Sequence, residues 1–177
     1  MELYSEVSDD SSVSTIHHKL GSLHYDQGQY KQAINHLQSC IKSFQENESE
    51  EDRLVLATKM LCSAFEKIED FPTALLTYDE LACLLKSRKY SRDDEISEVL
   101  LSQGYILVKS SDDDEALNIF QKSLHLKRNC RFPDEIGIAR LLKVMAEVNF
   151  RQNNFKIAAE LLREVSLLYS IPVLSDL

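Results

Sequence analysis

Five histidines, four cysteines and two dense acidic runs are the residues of this chain whose types could do chemistry. His17 and His18 are adjacent, so on a helix they point to different sides. His17 and His24 lie two turns apart, yet no cysteine or carboxylate completes a metal set around them, and His24 takes the place of a packed aromatic. The acidic runs 46–52 and 112–115 lack the alternating ligands and the glycine of a calcium loop, and read as solvated turns. Cys40, Cys62, Cys83 and Cys130 are far apart with no Cys-x-x-Cys, which suits thiols used as small hydrophobes in a reducing compartment. There is no glycine-rich phosphate loop, no Gly-x-Ser-x-Gly and no His-Glu-x-x-His. The expectation is a chain with no catalytic residues, metal or cofactor, and so not an enzyme. Ser49 and Ser111, each followed by acids, have the form of acidophilic kinase sites. Ser175-Asp176-Leu177 has the carboxy-terminal form read by strand addition in PDZ domains.

The elements that must position these residues are helices. Only 4 glycines and 3 prolines interrupt 177 residues, too few breakers for a turn-rich fold. Ala33, Ala74, Ala116 and Ala158 are spaced 41, 42 and 42 apart. Each has a bulky residue four places later (Leu37, Tyr78, Phe120, Leu162) and a small one twelve places earlier (Gly21, Cys62, Gly104, Ala146). Small residues let two helices approach, and large ones fill the gaps beside them. The pattern predicts helix pairs over 14–26 and 30–45, 52–67 and 71–86, 93–108 and 113–127, 134–151 and 155–169. Asp70 can cap a helix with Pro72 in its first turn, and Ser91 with Asp94 has the spacing of a capping box. The acids of 46–52 and 110–114 sit ahead of helix starts, where the dipole favours them.

Leu-Gly in the first helix of a pair, Gly-x-Tyr at the turn and alanine early in the second resemble the tetratricopeptide repeat. Its usual period is about 34 residues. The longer spacing here is similar to repeats of the kinesin light chain and nephrocystin type, and YSRDDEISEVL (90–100) and RFPDEIGIARL (131–141) look like degenerate forms of their charged lead-in. The resemblance implies an all-α, right-handed α-solenoid of four helix pairs, units 14–46, 52–87, 93–128 and 134–169, with a concave face lined by the first (A) helix of each pair. Residues 1–13 form an acidic, Ser-rich tail expected to be disordered, and 170–177 a C-terminal tail.

Carried over from that family, the groove positions include Lys19, Tyr25, Lys59, Met60, Lys67, Tyr105, Lys109, Arg140, Lys143, Phe150 and Arg151. The same offsets give His18, Ser22, Asp26, Glu66, Glu98 and Glu147. Seven cations then face four acids on a protein of net charge −9, and a concave site focuses such a local field. The expected function is a non-catalytic protein–protein interaction scaffold that takes an acidic, partly apolar peptide or helix, with Tyr25, Tyr105 and Phe150 as anchors. The alternative is an assembly segment that self-associates or docks through an uncapped C-terminal repeat, probed at Leu161, Leu168 or Val173. The carboxylate clamp of co-chaperone domains is absent: His18, Ser22, Met60, Glu98 and Ser102 stand at its positions. The helix-A asparagine of kinesin light chain repeats is replaced by Lys19, Met60, Ser102 and Val144.

The net charge argues against nucleic acid as partner. No apolar stretch approaches the roughly 18 residues that span a bilayer, and the acidic start has no apolar h-region. The expected setting is cytoplasmic, without membrane attachment.

Overall fold

The computed structural model describes residues 3–46, 48–87, 93–130 and 133–170. The backbone clusters into two compact units, Met1–Arg88 and Lys89–Leu177. The described residues of the first form α1 (Leu3–Asp26), α2 (Tyr30–Gln45), a short 3-10 turn (Glu48–Glu50), α3 (Glu51–Lys67) and α4 (Phe71–Ser87). Those of the second form α5 (Asp93–Lys109), α6 (Asp113–Asn129), α7 (Glu135–Arg151) and α8 (Phe155–Ser170). The architecture is all-α, and the A helices are α1, α3, α5 and α7.

The small-against-large pattern is the packing between the two helices of a pair. A Cβ on Gly104 would overlap the ring of Phe120, and one on Gly21 would come within 2.9 Å of Leu37. Both large side chains are fully buried. In the second unit Phe120 and Leu124 from α6 join Leu101 from α5 and Leu141, Leu142 and Met145 from α7 in one core. Lys127 is buried beside them, with its ammonium on the Glu98 carboxylate and 3.8 Å from Asp134. A buried cation is tolerable only when paired in this way.

Each A helix ends in the same turn. The N–H of Gly28 donates to Tyr25 and that of Gln29 to His24. Glu69 and Asp70, Ser111 and Asp112, and Asn153 and Asn154 repeat these two bonds at the other three turns. This is the Schellman arrangement, which needs a left-handed residue just past the helix. Gly28, Glu69, Ser111 and Asn153 supply it, with φ between 60° and 74°. Two of the second helices, α4 and α6, then start on side-chain caps: Asp70 accepts from Thr73 N–H at 3.3 Å and Asp112 from Glu115 N–H at 3.5 Å. Asp134 likewise caps α7, accepting from Gly137 at 2.9 Å.

One boundary differs from the sequence expectation. α1 begins at Leu3 and runs through most of the segment 1–13 expected to be disordered. Once residues from Ser14 onward are packed, adding turns avoids the nucleation cost that penalises an isolated helix. Ser91, expected in a capping box, and Val173, in the C-terminal tail, lie outside the described residues.

Candidate functional site

In the first unit two hydrogen bonds join the exposed sides of neighbouring A helices. Arg53 on α3 donates to the Thr15 hydroxyl at 3.1 Å, and the Ser22 hydroxyl approaches the Met60 sulfur at 3.9 Å. Ser22 and Met60, both expected to line a groove, are thus brought together. Lys19 and Lys67 are exposed, and Lys59 and Met60 half-buried. Tyr25 lies edge-on to Tyr30, with ring centroids 5.4 Å apart. Arg53 belongs to this face yet escaped the sequence offsets. It sits in the first turn of α3, where it also pairs with Glu50 at 3.1 Å.

His18 does not join the face. Its ring turns toward Phe44 on α2 at 6.2 Å, and its buried Nε2 has no hydrogen-bond partner among the described residues. Burial, then the nearby Arg53 charge, lowers its pKa. The other three histidines of this unit gather instead. His17 Nδ1 is 3.0 Å from His36 Nδ1, and His24 stacks on His36 with centroids 5.3 Å apart and an interplanar angle of 3°. His36, on α2, was not singled out in the sequence because it lies off the A helices. Among the described residues no three ligating side chains are arranged to hold a metal ion.

In the second unit Tyr105 on α5 lies edge-on to Phe120 at 5.8 Å with part of its ring exposed. Burial raises the pKa of its hydroxyl, and Arg140 on α7 works against that shift. Arg140, Lys143 and Lys109 are exposed. Phe150 is exposed too, but leans on Phe155 at 5.2 Å beside the α7–α8 turn.

Three charges assigned to the face are engaged elsewhere. Arg151 forms a two-pronged ion pair with Asp113 at the start of α6. Glu66 accepts from the Tyr78 hydroxyl on α4, and Glu98 holds Lys127 on α6. Long side chains at the edge of a helical face reach sideways to the nearest opposite charge or hydroxyl, which an offset along one helix does not register. One cation and two acids are drawn off, so the excess of positive charge among the A-helix positions remains.

The described cysteines are free thiols, and burial pushes Cys40 up to about 11 and raises Cys62 as well. Leu161 and Leu168, proposed as docking probes, are half-buried against the α6–α7 core. The exposed apolar side chains of α8 are Phe155, Ile157, Leu162, Leu167 and Tyr169.

These helix pairs, with their common turn and 41–42-residue register, define an all-α repeat of the tetratricopeptide type. Residues 18–47 match the family model for the tetratricopeptide repeat. No curated protein matches the chain in sequence. Among solved structures it is similar to BtubC (BKLC) from P. vanneervenii, with TM-score 0.77 and 16% identity over 95% of this chain and 67% of that one. Aspartyl phosphate phosphatase F from Bacillus subtilis gives 0.74 and 11%, over 88% of this chain but only 39% of the phosphatase. A MamA chain from Desulfovibrio magneticus RS-1 gives 0.66 and 15%, over 90% of this chain and 77% of the other. At these identities the likeness is one of fold.

Proposed function

We propose that this chain is a non-catalytic protein–protein interaction scaffold whose A-helix faces take an acidic, partly apolar peptide or helix. The observation that supports this is the division of charge. Glu66 and Glu98 are drawn to the second helices of their pairs, while Lys19, Lys67, Lys109, Arg140 and Lys143 are exposed on the A helices. Tyr25, Met60 and Tyr105 offer half-covered apolar surface between these cations, the mixture that anchors a partner helix. No cofactor, nucleic acid or membrane enters this reading. The reading places the chain in the cytoplasm, where its free thiols would persist.

The test is binding of a fluorescent acidic amphipathic peptide by anisotropy. Lys59→Glu with Lys143→Glu should weaken binding roughly tenfold or more, while Lys31→Glu on α2 should not. Equal affinity of all three proteins would overturn the reading. A second reading, docking through the C-terminal repeat, is supported by the exposed apolar side chains of α8.

A further inference from the structure

We propose that the chain associates head to tail with a second copy of itself, α1 of one copy packing on α8 of the next. The proposal rests on the C-terminal docking reading and names its partner.

The repeat register identifies what α8 lacks. In the first unit α3 packs on α2, and in the second α7 packs on α6. The α2 residues Leu37, Cys40 and Phe44 and their α6 equivalents Phe120, Ser123 and Lys127 are all buried. Their equivalents on α8 are Leu162, Val165 and Tyr169. Leu162 is 50% exposed where Phe120 is 0%, and Tyr169 is 68% exposed where Lys127 is 3%. In the second unit Phe120 lies in the core shared with α7 and Lys127 reaches Asp134 at the start of α7, so the following A helix covers part of this face.

Among the described residues, α1 presents a matching open face. Val13, Ile16, Leu20 and Leu23 form a stripe on α1 at three- and four-residue steps. Their α7 equivalents, Ile138, Leu141, Met145 and Val148, are all buried in the core shared with α6. On α3 the equivalents of Ile16 and Leu23 are Ala57 and Ala64, each 0% exposed, whereas Ile16 is 55% and Leu23 51% exposed. An α1–α8′ contact therefore continues the α2–α3 and α6–α7 interfaces.

Charge fits the same register. Inside the second unit Asp113 and Asp114 at the start of α6 hold Arg151 and Gln152 at the end of α7. The position of Asp114 on α8 is occupied by Lys156, and that of Arg151 on α1 by Asp26. Both are exposed. Phe155 and Gln27 stand at the positions of Asp113 and Gln152. Lys156 and Asp26 therefore occupy neighbouring rather than directly paired positions, within reach of a long lysine side chain. Their signs are exchanged relative to the pair within the chain, an attraction between copies. The contact joins two different surfaces, so it yields a ring or an open array rather than a twofold dimer.

The experiment is sedimentation of the chain up to about 200 µM, a range that reveals weak helix-on-helix interfaces, with Leu23→Glu on α1 and Tyr169→Glu on α8. Both side chains are exposed, and circular dichroism verifies that each variant stays helical. The wild-type chain should gain mass with concentration, and each variant alone should weaken association roughly tenfold or more. An equimolar mixture of the two should form a heterodimer and stop there, since it contains one intact α1 face and one intact α8 face. Asp26→Lys and Lys156→Asp should each weaken association, and together in one chain restore it. A wild-type chain that is monomeric throughout overturns both the proposal and self-association through α8. Association lost in Tyr169→Glu but kept in Leu23→Glu overturns α1 as the partner face and leaves α8 as a docking surface.

Discussion

At the residue scale, titration and close packing give the sharpest tests. His36 carries its lowered pKa because of burial first and then the neighbouring His17 and His24. His18 is lowered by burial and Arg53. A histidine whose folded pKa lies below its unfolded value favours the neutral form in the fold. Its contribution is fully present above the unfolded value of about 6.5 and is lost as pH falls through the folded value. Urea midpoints should therefore decline from pH 7.5 toward pH 5, and His36→Asn with His18→Leu should flatten that decline. An unchanged slope in the double variant would show that these rings do not carry it. Gly104→Ala places a methyl in the ring of the fully buried Phe120, and should cost about 1–3 kcal/mol by overpacking. Gly21→Ala meets the Leu37 side chain at 2.9 Å and its backbone nitrogen at 3.4 Å, a less severe overlap, and should cost less. The urea midpoint ranks the two, and Phe120→Leu should recover part of the Gly104→Ala loss.

At the element scale the four Schellman turns are the feature that the sequence concealed. The small–large register was readable because helix contact demands it in side chains, as at Gly104 and Phe120. The turn demands only a backbone conformation, and glycine announces it once, at Gly28. Asn153 is a weaker marker of the same kind, while Glu69 and Ser111 adopt the left-handed φ without any marker in residue type. For a non-glycine residue that conformation costs about 1–2 kcal/mol. Ser111→Gly is accordingly expected to stabilise the chain by up to about 1 kcal/mol, the gain in the fold being offset by glycine's greater freedom when unfolded. Gly28→Ala should destabilise it by a similar amount. Differential scanning calorimetry on the two variants should move the transition in opposite directions. The candidate site was less readable than the helices: offsets along a single helix put forward Lys19, Met60 and Tyr105 as face positions. Such offsets do not register the contacts of Arg53 with Thr15 or His36 with His17, nor those of Arg151, Glu66 and Glu98, because these side chains answer to neighbouring helices.

At the scale of the whole molecule, two fields of opposite sign compete for an acidic partner. The net charge of −9 repels it, while the A-helix cations attract it. Distance and screening decide between them. At about 0.15 M salt the Debye length is roughly 8 Å, so only charges close to the bound peptide count. At about 0.01 M it is roughly 30 Å, comparable with a domain, and the full negative charge is felt. Affinity for an acidic helix should thus rise as salt is first added, pass a maximum, and fall again once local pairs are screened. Anisotropy titrations from low to high salt read this curve directly. With Lys59→Glu and Lys143→Glu the falling limb should disappear, because local attraction is what it reports. A wild-type affinity that climbs steadily to the highest salt would mean that net repulsion dominates everywhere and that the A-helix faces do not select acidic partners.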